Sequence, residues 1–264
     1  MFDYRGSTAL ITGASKGLGA TFAEALAERG MNLVLVARST DELNALSTRL
    51  YAKHKVQRTI LSIDLTDPAS PQRIAEEIEN RGIQVDLLVN NAGFGLSGEF
   101  LSHDPRQEQA EIEVNVQALV ALTHHFGKAM AARGKGGIIN VASNASFQPL
   151  PYMATYAATK AFVLHFSEAI HRELAGKGVH VMATCPGPTA TSFFEGTSTN
   201  MSLKNMDTSE SVVRKTLEAF DQGRAVAYPG RMSVRLASLL PRLLPRALVV
   251  RIAAIETAKM GLHD

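Results

Sequence analysis

Tyr156 and Lys160 stand four residues apart in a stretch from Pro151 to Leu174 that reads as one long helix. A phenol and an ammonium therefore project from one face, about one turn from each other. A free tyrosine hydroxyl titrates near ~10 and exchanges protons poorly at neutral pH. A cation about 5 Å away stabilises the phenolate, and at an effective dielectric of ~20 that Coulomb energy is about 3 kcal/mol, roughly two pKa units. Ser143 ends the apolar run Gly137-Ile-Ile-Asn-Val-Ala142 and can hold a substrate oxygen against that phenol. Together the three are the parts of a proton relay to a carbonyl or from an alcohol. A lone Tyr-x-x-x-Lys is more often an ordinary amphipathic pair, so the chemical reading needs a cofactor site elsewhere in the chain.

The elements that must position these residues are short apolar strands alternating with longer amphipathic helices. Strand patterns fall at 7–12, 31–37, 57–63, 85–89, 137–141, 178–184 and 224–228, and helical patterns at about 17–29, 40–53, 68–80, 105–133, 152–175 and 208–222. Such alternation predicts a doubly wound α/β fold, because each parallel crossover needs a helix and turns right-handed. No linker divides the 264 residues, so a single domain is expected.

The strand ends carry the cofactor signals. After the first strand comes Thr12-Gly-Ala-Ser-Lys-Gly-Leu-Gly19, whose Gly13, Gly17 and Gly19 allow a tight turn and let a pyrophosphate approach the amides of a helix N-terminus. A glycine-rich turn is also ordinary turn chemistry, and its place between strand and helix is what favours the phosphate reading. The second strand ends in Arg38-Ser39, where an acid would bind ribose hydroxyls and an arginine accommodates a 2′-phosphate. With Lys16 as a second cation, this favours NADP(H) over NAD(H). Ser39-Thr-Asp-Glu42 reads as a capping box opening the next helix. Asp64-Leu65 ends the third strand, where the carboxylate can accept from an adenine amine or simply open a helix. Asn90-Asn-Ala-Gly93 follows the fourth strand with small residues that suit close backbone approach to a ligand.

In this order, Thr12-Gly-x-x-x-Gly-x-Gly19, Asp64, Asn90-Asn-Ala-Gly93, Asn115, Ser143, Tyr156-x-x-x-Lys160 and Pro186-Gly187 resemble the short-chain dehydrogenase/reductase family, over about residues 7 to 195. Within it the chain looks like NADP-preferring ketone reductases related to the hydroxysteroid dehydrogenases and 3-oxoacyl reductases. The resemblance implies a Rossmann fold with a seven-stranded parallel sheet in the order 3-2-1-4-5-6-7 and a C-terminal helical extension over 231–264. It implies that Tyr156 is the general acid/base, that Lys160 lowers its pKa and binds the nicotinamide ribose, and that Ser143 orients the carbonyl. Asn115 would support a water chain to Lys160, although by itself it is a polar residue interrupting a helix. Ser15, Leu18, Leu65, Asn91, Ala92, Pro186, Gly187, Thr189 and Thr191 would complete the cofactor site, with Pro186, Gly187 and Thr191 covering the nicotinamide.

Phe94, Leu96, Phe147, Pro149, Leu150, Met153, Phe193 and Phe194 fall on loops after strand ends, the crevice where open α/β sheets bind ligands. Two readings stay open: an apolar rim for a hydrophobic carbonyl or alcohol substrate, with Phe94, Phe147, Met153 and Phe193 in contact, or side chains that only pack loops on the sheet. Residues 196–207, rich in Ser, Thr and Asn, are expected to form a mobile lid. Across 231–260, apolar clusters alternate with arginines, a pattern that suits an anionic membrane surface but more often packs on its own domain or a second subunit.

Composition narrows the partners. A formal charge of +2 from dispersed basic residues gives no case for nucleic acid, and no metal-ligand cluster stands out. No apolar run approaches ~18 residues, so no transmembrane span is expected. The early first strand leaves no room for a signal peptide, and a lone Cys185 fits a reducing compartment, so a cytoplasmic location is expected. The helices 105–133 and 152–175 often form a subunit interface in the family, which points to a homodimer or homotetramer. Against an NADPH-dependent carbonyl reductase stand two other classes: a nucleotide sensor or scaffold without turnover, which has no need of the relay, and a lyase or epimerase on the same fold.

Overall fold

A computed structural model describes residues 2–191, 193, 206–238, 241 and 243–262, with the side chains of all but Ser233 and Ala237. The first half runs β1 (Thr8–Thr12), α1 (Gly17–Glu28), β2 (Asn32–Ala37), α2 (Thr40–His54), β3 (Arg58–Ser62), α3 (Ser70–Asn80) and β4 (Leu87–Asn90). The second half runs α4 (Pro105–Ile112), α5 (Leu119–Arg133), β5 (Gly136–Val141), α6 (Ala154–Ala175), β6 (Val179–Thr184), β7 (Thr189–Ala190), β8 (Asp207–Thr208), α7 (Ser209–Asp221), β9 (Val226–Ala227), α8 (Met232–Ala237) and α9 (Arg246–Lys259). Seven parallel strands form one sheet in the order β3-β2-β1-β4-β5-β6-β9, the order expected, with β9 in the place of the seventh strand.

Strand period and helix faces explain the layers. On β1, Ala9 and Ile11 join Leu33, Leu35, Leu87 and Val89 on one face of the sheet, under Phe22 and Leu26 of α1 and Val213 and Leu217 of α7. The intervening Leu10, Val34, Val36 and Leu88 face the other way, onto Ile74 of α3 and Leu122, Phe126 and Met130 of α5. Both faces of the central strands are thus dry, which is why they read as unbroken apolar runs rather than alternating ones. Ser39, Asp104 and Thr208 cap α2, α4 and α7 with side-chain oxygens accepting from Glu42 N, Arg106 N and Ser211 N.

The structure departs from the sequence pattern in three places. The helix expected over 105–133 is interrupted, because Glu113–Ala118 forms a π-helical stretch between α4 and α5. The last strand shrinks to two residues, and a separate two-stranded parallel sheet pairs Thr189 with Asp207 and Ala190 with Thr208. The lid expected over 196–207 lies outside the described residues apart from Met206 and Asp207. Among the described residues, no helix is long and apolar enough to cross a membrane.

Candidate active site

The carboxyl ends of β1, β2, β4, β5 and β6 open into one cleft of about 820 Å³. At one end of it the chain turns through Gly13 and Gly17, both at positive φ (63° and 57°), where a side chain would be strained. The helix that follows has Lys16 as its N-cap with no side-chain cap, so the first amides of α1 are left without a side-chain acceptor. Gly19 does not line the cleft. A Cβ there would overlap the Gly13 carbonyl oxygen, so its role is to let α1 pack on the turn. Thr12 and Asn91 tie this turn to the end of β4. Thr12 Oγ1 accepts from Asn91 N (3.1 Å) and Ala92 N (3.0 Å), and Asn91 Nδ2 donates to Thr12 O (2.9 Å) and Gly13 O (3.1 Å). Asn91 therefore braces the glycine turn with its side chain.

Ser15, Lys16, Gly17 and Leu18 line the cleft beside Arg38 and Ser39. Arg38 and Lys16 are exposed, and among the described residues neither has an ion-pair partner. Asp64 and Leu65 follow along the same wall, with Asp64 Oδ1 accepting from Thr66 N in a local turn (3.0 Å). Ala92 and Gly93 lead to the far end, where Pro186, Gly187, Thr189 and Thr191 form the opposite wall.

Tyr156, Lys160 and Ser143 all reach that far end. Ser143 N-caps the short turn Asn144–Phe147, its Oγ accepting from Ala145 N (3.1 Å), and its hydroxyl is near enough to the Tyr156 phenol to pull its pKa down. Lys160 is buried and donates from Nζ to Val141 O (2.8 Å), with that nitrogen 5.8 Å from the centre of the Tyr156 ring. The expected depression of the tyrosine pKa is not there. Burial pushes Tyr156 up to about 12 against the pull of the Ser143 hydrogen bond, and the Glu111 charge adds to the rise. Burial also brings Lys160 down to about 8, opposed by Glu111. Both groups have left water, and at this separation the loss of solvation outweighs their mutual attraction.

Asn115 is not in the cleft. From the π-helical stretch it sits behind it, donating from Nδ2 to Phe94 O (2.8 Å) and Thr159 Oγ1 (3.1 Å) and accepting at Oδ1 from Phe94 N (3.1 Å). A Cβ on Gly93 would lie 2.9 Å from Asn115 Oδ1 and 3.2 Å from Lys160 Nζ, so the two side chains meet across that glycine.

Of the apolar set, Phe94, Leu150, Met153 and Phe193 line the cleft, and the Phe193 ring packs on Tyr156 at 5.3 Å. Phe147 does not: it stacks on Tyr228 (5.6 Å) in a small core under β6, because the Asn144–Phe147 turn swings it away. Leu96 and Pro149 also stay out of the lining, and Phe194 lies outside the described residues. The C-terminal extension supplies what sequence reasoning missed. Val249, Ile252, Ala253, Thr257 and Met260, on α9 and just past it, close the apolar end of the cleft. Their spacing of three and four was the only available signal. Gly95 was missed as well, a Cβ there falling 2.7 Å from Tyr156 Cδ2.

These features define an oxidoreductase built on a doubly wound sheet. Residues 7–202 match the family described as short chain dehydrogenase, and the chain belongs to that family. A very-long-chain 3-oxoacyl-CoA reductase from Bos taurus is 34% identical over 190 residues, covering 70% of this chain and 60% of the bovine protein. The match thus spans about three fifths of that relative's length. Among solved structures, a short-chain dehydrogenase from Sphingobium yanoikuyae in complex with NADPH is 33% identical with a TM-score of 0.81, covering 90% of this chain and 93% of the other. A bulky-bulky ketone specific alcohol dehydrogenase from Comamonas testosteroni is 32% identical with a TM-score of 0.79, over 90% and 91%.

Proposed function

We propose that the protein is an NADPH-dependent reductase of hydrophobic ketones, reversible as a secondary alcohol dehydrogenase. The observation that carries this reading is the meeting of Tyr156 and Ser143 at the end of one cleft whose other end holds uncapped α1 amides and two cations, Lys16 and Arg38, without an ion-pair partner among the described residues. That donor set fits a dinucleotide bearing a 2′-phosphate: amides for the pyrophosphate, Arg38 and Lys16 for the extra charge, Asp64 for an adenine amine. Lys160 and the segment from Pro186 to Thr191 would hold the nicotinamide end. When bound, the cofactor supplies the hydride.

The chain's own residues handle the proton and the orientation. Ser143 fixes a carbonyl oxygen against the phenol. At neutral pH Tyr156 is protonated and so holds the proton that a carbonyl oxygen takes up on reduction. The apolar wall of Leu150, Met153, Phe193 and α9 excludes water and suits a bulky lipophilic substrate. The bulky ketones of the Comamonas enzyme and the acyl chains of the bovine relative both belong to that class.

The same reading puts the enzyme in the cytoplasm as a homodimer or homotetramer, supported by Ile112 and Phe162 exposed on the helices expected to meet a second copy. Light scattering reads the assembly. The decisive experiment follows NADPH and NADH consumption against a panel of lipophilic ketones, with Tyr156→Phe alongside. Turnover should prefer NADPH and fall by ~10²-fold or more in the variant while cofactor affinity stays within about threefold. Near-normal turnover in Tyr156→Phe would defeat the assignment.

A further inference from the structure

Glu111 is an acid buried on α4 with no place in the relay just described. It is fully inaccessible, yet among the described residues its Oε1 has no hydrogen-bond partner. Its Oε2 accepts from the backbone amide of Leu96 (3.1 Å). Asn115, four residues on, grips Phe94 through both its N–H and its carbonyl. Farther along the same segment, His103 Nε2 meets Ser97 O (3.1 Å), and Gly98 N donates to Tyr152 O (3.0 Å). A carbonyl only accepts, so Nε2 is the donor there, and His103 Nδ1 lies 2.6 Å from Glu108 Oε1. The segment 94–98 is thus held at Phe94, Leu96 and Ser97 from α4, the turn before it and the π-helical stretch, and at Gly98 from Tyr152, while Gly95 packs closely against Tyr156.

We propose that Glu111 is a positioning residue of the active site: its carboxyl group holds the Phe94–Gly98 segment, and through Gly95 the Tyr156 ring, while its negative charge acts on the Tyr156–Lys160 pair. The inference rests on the reductase reading for its catalytic half alone, since the clamp is a property of the fold. The groups that face Glu111 are Glu108 on its own helix, His103 in the turn before it, and Lys160 and Tyr156 on α6. Burial brings its acidity to about 7, the Leu96 amide and the Lys160 and His103 charges pulling down and Glu108 pushing up. A carboxylate there makes the phenolate harder to form and the ammonium easier to keep. Around neutrality the site therefore gains or loses one negative charge directly behind its proton donor.

Two variants separate the halves. Glu111→Gln keeps an acceptor for Leu96 N and removes the charge; Glu111→Leu removes both. Hydrogen exchange of the Leu96 amide at fixed pH should accelerate roughly tenfold or more in Glu111→Leu and less than about threefold in Glu111→Gln. The pH profile of kcat/KM for alcohol oxidation with NADP should shift its rising limb to lower pH by about half a unit to one unit in Glu111→Gln, because the phenol ionises more easily without the neighbouring charge. Unchanged Leu96 exchange in a folded Glu111→Leu would overturn the clamp. An unshifted limb in Glu111→Gln would overturn the charge coupling. A wild-type protein that consumes no cofactor would sink the reductase reading instead, with the exchange experiment still deciding the clamp.

Discussion

Gly95→Ala tests the packing on which Tyr156, the proposed proton donor, depends. Gly95 is not at positive φ, so alanine is permitted by the backbone, and the obstacle is the Tyr156 ring alone. The added Cβ would lie 2.7 Å from Cδ2, 2.9 Å from Cγ and 3.2 Å from Cβ of Tyr156. Ordinary contact begins at 3.4 Å, so ring and loop must part by about 0.7 Å. The loop cannot easily yield, since Asn115 and Glu111 fix Phe94 and Leu96 on either side of Gly95. Most of the displacement then falls on the phenol. Misplacing a reacting group by ~1 Å costs about 10²-fold, so kcat for ketone reduction should drop between ~10- and 100-fold, with the KM for NADPH within about twofold. Gly176→Ala is the control, because a Cβ there meets nothing within 4 Å. Stopped-flow or steady-state absorbance of NADPH reads the effect. A Gly95→Ala enzyme with kcat within twofold of wild type would refute the reasoning, whichever way the loop had moved.

Arg38→Leu should weaken NADPH by roughly 10- to 100-fold in KM while leaving NADH within about twofold, with the difference shrinking at high salt because the guanidinium is exposed. Equal losses for both cofactors would remove Arg38 from the 2′-phosphate. Thr12→Val strands the amides of Asn91 and Ala92 beneath the cleft and should lower stability by about 1–3 kcal/mol, seen as a drop in Tm of a few degrees, with Thr12→Ser restoring it. His180 is held neutral by burial, aided by the facing His171, and titrates near 4 rather than 6.5. The unfolded chain takes up the proton first, so this stabilisation is complete above about 6.5 and is lost as pH falls toward 4. The Tm of His180→Gln should therefore fall less steeply than wild type between pH 6.5 and 4; parallel curves would show that other groups govern acid unfolding.

The strand-helix alternation, the glycine turn and the Ser143, Tyr156 and Lys160 set were legible because each is written in residues close along the chain, whereas the sheet order came with the family resemblance. Strand ends carry turn chemistry, and a helix places positions 156 and 160 on one face whatever surrounds them. What was not legible depends on contacts made across the fold. Tyr156 next to Lys160 predicts a lowered pKa from charge alone, and the cost of burying the phenolate, which no local pattern states, raises it instead. Phe147 looked like a rim residue until the turn capped by Ser143 sent it to Tyr228. The cleft wall on α9 lies about a hundred positions from Tyr156, and no local pattern states which surface an amphipathic helix will cover. Glu111 on a polar helix resembles any solvated acid, and only its zero exposure distinguishes it.

The widened turn at Glu113–Ala118 sets the rotational phase of everything before it. Relative to an ordinary helix it takes in one additional residue, and one residue corresponds to about 100° of rotation. Excising a single residue there would let α4 and α5 fuse into a straighter, more regular rod, with circular dichroism barely altered. It would also swing Glu111 off the Leu96 amide and Asn115 off Phe94, so ketone turnover should vanish from a protein that looks better folded. The irregularity is a gear tooth, and regularising it disengages the machine.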